Sequence, residues 1–373
     1  MSTPDPIRAE PLALERRFPA LAGRLPRLPL AVLPTPAHRL ANLGRDVGLA
    51  DLWVKRDDLT GAPYGGNKVR KLEWLLADAR ARGHRSVLTT GALGSNHALA
   101  TAIYARASGF RAHLVLIPQP VTEHVRRALV LDHAYGAAIH AVPSIGAARR
   151  RVLGLIALGA LAGDRPYLVA TGGSSAVGTL GYVNAGLELA EQVAAGTLPE
   201  PAAVVVPLGS GGTVAGLVAG LRLGGLATRV LAVRVTDLLP LSPRFLARLA
   251  ARALAMLARL GAGALPAIAP GDFDIRSEWL GPGYGVVTPE AVDAARRLAA
   301  TEGLRLETTY GAKALAGALA LGQAPAWRGR PLLFWHTYSA ADPAATLANL
   351  PDWRELPREV HHVFGEGPGA LPS

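Results

Sequence analysis

Short, unbroken apolar runs alternate along this chain with longer stretches in which apolar residues recur every three or four positions. Ser86–Gly91, Arg111–Ile117, Ala137–Val142, Tyr167–Thr171, Ala203–Leu208, Arg229–Val235 and Leu332–Thr337 are rich in Val, Leu and Ile. They lack the polar alternation of a half-exposed strand, which predicts strands buried on both faces. Between them, Lys68–Arg82 puts Val69, Leu72, Leu75, Leu76 and Ala79 on one helical face, and Gly83 stops the pattern. Further helices are predicted over Asn96–Ser108, Thr122–Ala134, Gly178–Ala195, Thr213–Leu223, Pro243–Leu260, Pro289–Glu302 and Ala312–Leu321.

This alternation predicts an α/β fold with parallel sheets. There are more strand–helix units than one small sheet holds, so two open parallel-sheet domains are expected. Ligands in such folds sit at the carboxyl ends of strands. The tail after Pro357 reads as a loose terminus.

Composition narrows the function classes. The 373 residues fit two domains. No cysteine is present, which excludes disulfides, thiolate metal sites and a cysteine nucleophile. The net charge is +11, with 39 Lys plus Arg, of which only Lys55, Lys68, Lys71 and Lys313 are lysine. The arginines are scattered rather than clustered, and aromatics make up 5% of the chain. A nucleic-acid partner is therefore not expected. The first 30 residues lack a secretory apolar core. Ala202–Leu221 is uncharged and long enough to span a bilayer. Pro207 and the Gly209–Thr213 run interrupt it, so it reads as strand, glycine loop and helix. No membrane partner and a cytoplasmic location are expected.

The chemistry is sought at strand ends. Gly209-Ser210-Gly211-Gly212-Thr213 follows a buried strand and opens a helix. It lacks the Lys-Ser/Thr of an ATP loop and the third glycine of a dinucleotide fingerprint. Its converging N–H groups and the helix dipole still suit one phosphate. Tyr64-Gly65-Gly66-Asn67-Lys68 places a lysine at a helix start. The dipole disfavours a cation there, and a neutral amine suits imine chemistry. At the next strand end stand Ser95, Asn96 and His97. The first two are natural N-caps; with exposed N–H groups and the imidazole they could also clamp a carboxylate.

Taken in order, these motifs resemble pyridoxal-phosphate enzymes of the tryptophan synthase β-like class, fold type II. Within that class the chain is similar to the family of 1-aminocyclopropane-1-carboxylate deaminase and D-cysteine desulfhydrase. Pro34-Thr35-Pro36, Leu52–Glu73, Gly91–Ala105, Val205–Leu217 and Thr309–Gly317 carry the likeness, which runs from about Leu28 to about Thr337. The resemblance implies pyridoxal 5'-phosphate as cofactor, with Lys68 as its covalent partner. Asn96 would bond the ring hydroxyl, and Gly209, Ser210, Gly211, Gly212 and Thr213 would hold the phosphate. Thr337 would meet the ring nitrogen. Ser95, Asn96 and His97 would hold the substrate carboxylate. Lys68, Ser95, Tyr284 and Tyr310 would be catalytic, a phenol of lowered pKa serving as base or nucleophile.

The implied reaction is β-elimination from a small amino acid, giving a 2-keto acid and ammonia. Cyclopropane opening, β-replacement and racemisation share the first proton abstraction, and a non-catalytic carrier or sensor is the reading outside enzymology. The resemblance also implies a homodimer. Residues 1–70 and 178–373 would form the large cofactor domain, and 71–177 a small inserted domain that closes over the substrate.

Three positions depart from the family pattern. Gly94 stands where Gln usually precedes Ser-Asn-His. Tyr310-Gly311-Ala312-Lys313 lacks the Glu after Tyr found in cyclopropane deaminases, which disfavours that reaction. His336-Thr337-Tyr338-Ser339 replaces His-Thr-Gly-Gly, so that Tyr338 either points away or reshapes the pocket.

Overall fold

In a computed structural model that describes residues 10–365, the strands are β1 (Ala37–Arg39), β2 (Leu52–Arg56), β3 (Ser86–Ala92), β4 (Arg111–Ile117), β5 (Ala138–Ala141), β6 (Tyr167–Val169), β7 (Ala203–Leu208), β8 (Arg229–Arg234), β9 (Asp274–Arg276) and β10 (Leu332–His336). The helices are α1 (Ala13–Arg17), α2 (Ala41–Val47), α3 (Asn67–Ala81), α4 (Asn96–Ala107), α5 (Glu123–Ala134), α6 (Ile145–Leu161), α7 (Ala176–Ala194), α8 (Gly212–Leu223), α9 (Pro243–Leu257), α10 (Pro289–Glu302) and α11 (Gly311–Gln323).

Two sheets form. The larger runs β1-β2-β10-β7-β8-β9 and the smaller β5-β4-β3-β6. All pairings are parallel except that of β1 with β2. β7 is buried along its whole length despite Pro207. Its pairing with β10 ends at Val205, whereas that with β8 continues to Leu208, so the missing N–H of Pro207 faces no partner that needs it. The apolar stretch at 202–221 is this strand, its glycine loop and α8. Among the described residues no helix is long and apolar enough to cross a membrane.

Helix starts follow local chemistry. Ser95, Thr122, Ser144, Ser175, Ser242 and Thr288 cap α4, α5, α6, α7, α9 and α10 by accepting a backbone N–H of the first turn. α3 is fixed from below by a buried charge cluster. Arg70 reaches Asp57 at 2.7 Å and Glu188 at 2.9 Å, and Lys55 on β2 reaches Glu188 at 2.6 Å. Trp335 on β10 and Tyr182 on α7 donate to the second Asp57 oxygen at 2.7 and 2.5 Å. Burial alone would raise the Glu188 carboxyl; Arg70 and Lys55 outweigh it and hold it at about 2. Two cations and two anions thus compensate one another, as burial requires. The Lys55-Arg56-Asp57-Asp58 motif is largely this cluster. Gly181 completes the fit, since a Cβ there would stand 2.1 Å from the Arg70 carbonyl oxygen.

The tail was expected to be loose and 178–373 to belong wholly to the large unit. Instead, Arg358–Val363 form a 3-10 helix. Leu356, Val360 and Val363 are buried in the core of the small sheet, beside α3, α4 and α5 residues. Tyr135 donates to the Pro343 carbonyl at 2.7 Å and Arg126 to that of Val363 at 2.9 Å. The apolar residues at 356, 360 and 363 gain more by covering the small sheet than by remaining in water. The opposite face of that sheet is thinly covered: Leu88 and Val115 cluster with Ala148 and with the half-buried Val152, Leu155 and Ile156 of α6, beside Ile117 and Val142.

Candidate active site

The carboxyl ends of β3, β4, β7, β8 and β10 converge on a cavity of about 630 Å3 between the two sheets. Lys68, Ser95, Asn96, His97, Gly209, Ser210, Gly211, Thr213, Tyr284, Tyr310 and Thr337 all border it. Gly212, the remaining residue expected there, does not line it; its N–H is turned to Ser174.

Lys68 is aimed by the glycine turn. Gly66 has φ +88°, and a Cβ on it would lie 2.5 Å from the Thr337 carbonyl oxygen. That oxygen accepts the Asn67 N–H at 3.1 Å, and Ser339 Oγ accepts the Gly65 N–H at 2.7 Å. The turn is thereby stitched to the end of β10, with Lys68 as the second residue of α3. Burial lowers the Lys68 pKa to about 8, against the opposing pull of Glu307. About a tenth of the amine is then neutral at pH 7, against well under a thousandth for an ordinary lysine.

The glycine run is the candidate anion seat. Gly211 has φ +94°. The Gly212 N–H donates to Ser174 Oγ at 2.9 Å, Ser174 Oγ lies 2.8 Å from Ser210 Oγ, and Asn67 donates to Thr213 Oγ1 at 3.1 Å. Lys71 completes it. This ammonium is buried and donates to the Gly172 carbonyl at 3.0 Å. A Cβ on Gly212 would come 3.1 Å from its Nζ. Burial, then Lys68, drives its pKa well down, and among the described residues it pairs with no carboxylate. A buried lysine with no carboxylate partner among the described residues, beside a glycine loop that opens a helix, fits a phosphate, which would restore its charge. The sequence reading gave Lys71 no role. Its position three residues after Lys68, on the same helical face, was the available signal.

At the next strand end Ser95 Oγ accepts the Ala98 N–H at 3.3 Å, and Asn96 Oδ1 accepts from Tyr64 at 3.2 Å. His97 bonds Thr89 Oγ1 at 3.0 Å through Nε2. Burial, with Lys68 and Lys71 nearby, pushes its pKa well below normal. Any carboxylate clamp here therefore works through dipoles rather than an imidazolium charge.

On the large-sheet side the phenol oxygens of Tyr284 and Tyr310 lie 2.6 Å apart. Burial pushes Tyr284 up to about 12 and raises Tyr310 well above its ordinary value. This corrects the expectation of a lowered phenol pKa: both stay protonated in the free protein, because burial disfavours the phenolate. Glu307, which the sequence reading missed, borders the same cavity. It accepts the N–H groups of Thr309, Tyr310 and Gly311 at 2.8, 2.9 and 2.6 Å and so fixes the start of α11. Lys313 donates to the Leu280 carbonyl at 2.7 Å and anchors the turn that carries Tyr284.

The departures find physical accounts. A Cβ on Gly94 would meet Val125 Cγ2 at 2.9 Å and Gln119 Nε2 at 3.1 Å. The Gln119 side chain accepts the Gly94 N–H at 3.1 Å, so a glutamine from the next loop fills the space that a side chain at 94 would occupy. Tyr338 borders the cavity, its ring 6.3 Å from that of His124; it reshapes the pocket rather than pointing away. Ser339 replaces a glycine and serves as the acceptor for Gly65.

Comparison with known proteins agrees with this geometry. The model of the pyridoxal-phosphate dependent enzyme family matches residues 28–337. The nocardicin C-9' epimerase of Nocardia uniformis subsp. tsuyamanensis is 38% identical over 334 residues, 88% of this chain and 97% of that protein. The D-cysteine desulfhydrase of Salmonella choleraesuis (strain SC-B67) is 33% identical over 323 residues, 85% of this chain and 95% of that protein. A crystal structure of an ACC deaminase homologue superimposes with a TM-score of 0.75 at 32% identity, covering 87% of this chain and 95% of that one.

Proposed function

Because this chain belongs to the pyridoxal-phosphate dependent enzyme family, we propose that it is a lyase that removes a β-substituent and the amino group from a small amino acid such as D-cysteine. The observation that carries this reading is the placement of Lys68, with its amine near pKa 8, in one cavity with the glycine loop of Gly209, Ser210, Gly211 and Thr213 and the Tyr284–Tyr310 pair. When bound, the cofactor withdraws electrons from the substrate Cα and so weakens its bonds.

The residues act around it. Gly209–Thr213 and Lys71 hold the phosphate, Asn96 the ring hydroxyl and Thr337 the ring nitrogen. Ser95, with the N–H groups at the start of α4 and His97 behind them, orients the substrate carboxylate. Lys68 would hold the cofactor, and its amine, when free and neutral, is the base placed to take the Cα proton. The Tyr310 hydroxyl, held by Tyr284, supplies a proton to the leaving group. With cysteine the Cα–H and Cβ–S bonds break and sulfide leaves. Water then replaces nitrogen, giving pyruvate and ammonia. The unit formed by 71–177, with the C-terminal arm on it, closes the cleft and excludes water.

Epimerisation on the same site is the second reading, supported by the likeness to an epimerase and by protonated phenols bordering the same cavity as the lysine. A homodimer is proposed as well; Leu158 and Leu161, at 62% and 86% exposure on α6, offer apolar surface for it. The absence of cysteine fits a reducing cytoplasm.

The test is to load the purified protein with pyridoxal phosphate and supply D- and L-cysteine in D2O. Keto acid with sulfide from one isomer supports elimination. Deuterium at Cα with inversion and no keto acid supports epimerisation, and neither product with any isomer sinks both.

A further inference from the structure

The cavity reaches well beyond the reacting residues, and its outer part has a different chemistry. α6 contributes Ile145, Ala148, Arg149, Val152 and Leu153 to the lining. Their spacing is that of one helical face. Ala148 and Val152 on this face also pack on the small sheet, but of the whole helix only Ala148 is buried, so Ile145, Arg149 and Leu153 are left at the cleft. From the large-sheet side Leu238, Leu239 and Pro240 border the same space. Ile145, Leu153 and Leu238 are 43%, 67% and 38% exposed. Large apolar side chains left in water on two walls of one cleft mark a binding surface.

We propose that this outer compartment receives the side chain of amino acids with a bulky apolar group, a second substrate class beside cysteine-sized ones. The proposal rests on the reading of the Lys68 end as an amino-acid site, because the compartment is continuous with that end. A cysteine side chain is one carbon and one sulfur long and leaves these residues wet; an aromatic side chain removes them from water. Arg149 stands on the same helical face and, among the described residues, pairs with no carboxylate. The apolar walls therefore set the preference, and the cation tolerates a polar tip.

The experiment uses the cofactor-loaded enzyme. D- and L-phenylalanine and D- and L-alanine are titrated while the cofactor absorption band is followed, and keto acid from D-cysteine is assayed separately. Phenylalanine, in the preferred isomer, should perturb the band at least tenfold more tightly than alanine. Leu153→Glu and Leu238→Glu, both at exposed positions, should each lower that preference at least tenfold. A preference of less than twofold in the wild type, or one that both variants leave intact, overturns the compartment. If keto acid still forms from cysteine in that case, the lyase reading stands. A strong preference lost in the variants, with no keto acid from cysteine, upholds the compartment and overturns the lyase reading. A band that responds to no amino acid overturns both.

Discussion

Tyr284 and Tyr310 share one hydrogen bond, 2.6 Å between phenol oxygens, with their rings edge-on at 5.9 Å. Only one of the two protons can lie between the oxygens, so the other is free for the cavity. The ring of Tyr310 also packs on the glycine loop: a Cβ on Gly209 would stand 3.1 Å from its Cε1. Tyr310 is therefore placed to deliver the proton and Tyr284 to restrain it. Tyr310→Phe should lower kcat by about 10²-fold or more with little change in KM. Tyr284→Phe should cost less. Equal kcat for Tyr310→Phe and wild type would show that the pair serves packing alone.

The amine of Lys68 titrates near 8. Imine formation needs it neutral, so loading of cofactor-stripped protein should speed up about tenfold per pH unit below that value and level off above it. The effect on stability has a definite sign. The folded pKa lies below the ordinary 10.5, so the unfolded chain binds more protons between the two values. The resulting penalty is full below about pH 8 and fades as pH rises toward 10.5. Stripped Lys68→Met should unfold at higher urea than stripped wild type at pH 7, and the gap should close by pH 10.5.

Lys71 is expected to act through charge alone. After borohydride treatment, Lys68→Ala should carry no covalent cofactor. Lys71→Ala should still carry it, but should bind it at least tenfold more weakly because the buried anion seat has lost its cation. Cofactor affinity equal to wild type in Lys71→Ala would remove this residue from the phosphate site.

Arg70→Met leaves Asp57 and Glu188 with Lys55 as the only remaining cation of the cluster. Breaking a buried pair on one side costs about 3–5 kcal/mol, which a urea titration would register directly. Acid should do the same to the intact protein. Glu188 is held at about 2, so its contribution is present above the ordinary carboxylate value near 4.5 and is lost as pH falls through about 2.

The seven strands that the apolar runs predicted are all present, because parallel strands covered on both faces leave a plain hydrophobic record. β2 left none. Its Lys55 and Arg56 interrupt the run, and the pairing of Lys55 with Glu188 is visible only once distant segments meet. β1 and β9, three residues each, are too short for any pattern. The helix α6 was also missed, since a helix with one buried residue has no core-facing stripe to read. At the site, the motif residues were legible because they are packed into short stretches at strand ends. Lys71 and Glu307 were not, because their roles come from what they lack or what they cap: one has no counter-ion, and the other collects three N–H groups.

The C-terminal arm has a mechanical consequence. The chain leaves the large sheet at His336, passes the cavity wall at Thr337, and is fastened to α5 by the Arg127–Asp342 pair at 2.7 Å and by the bond from Tyr135 to Pro343. Six peptide links separate Thr337 from Pro343, a reach of at most about 20 Å. This is a leash between the two halves of the molecule. In the closure proposed above, movement of the smaller half would draw on the strand end that presents Thr337. Under that proposal the same seven residues would limit the travel of the smaller half and hold the cavity wall at Thr337.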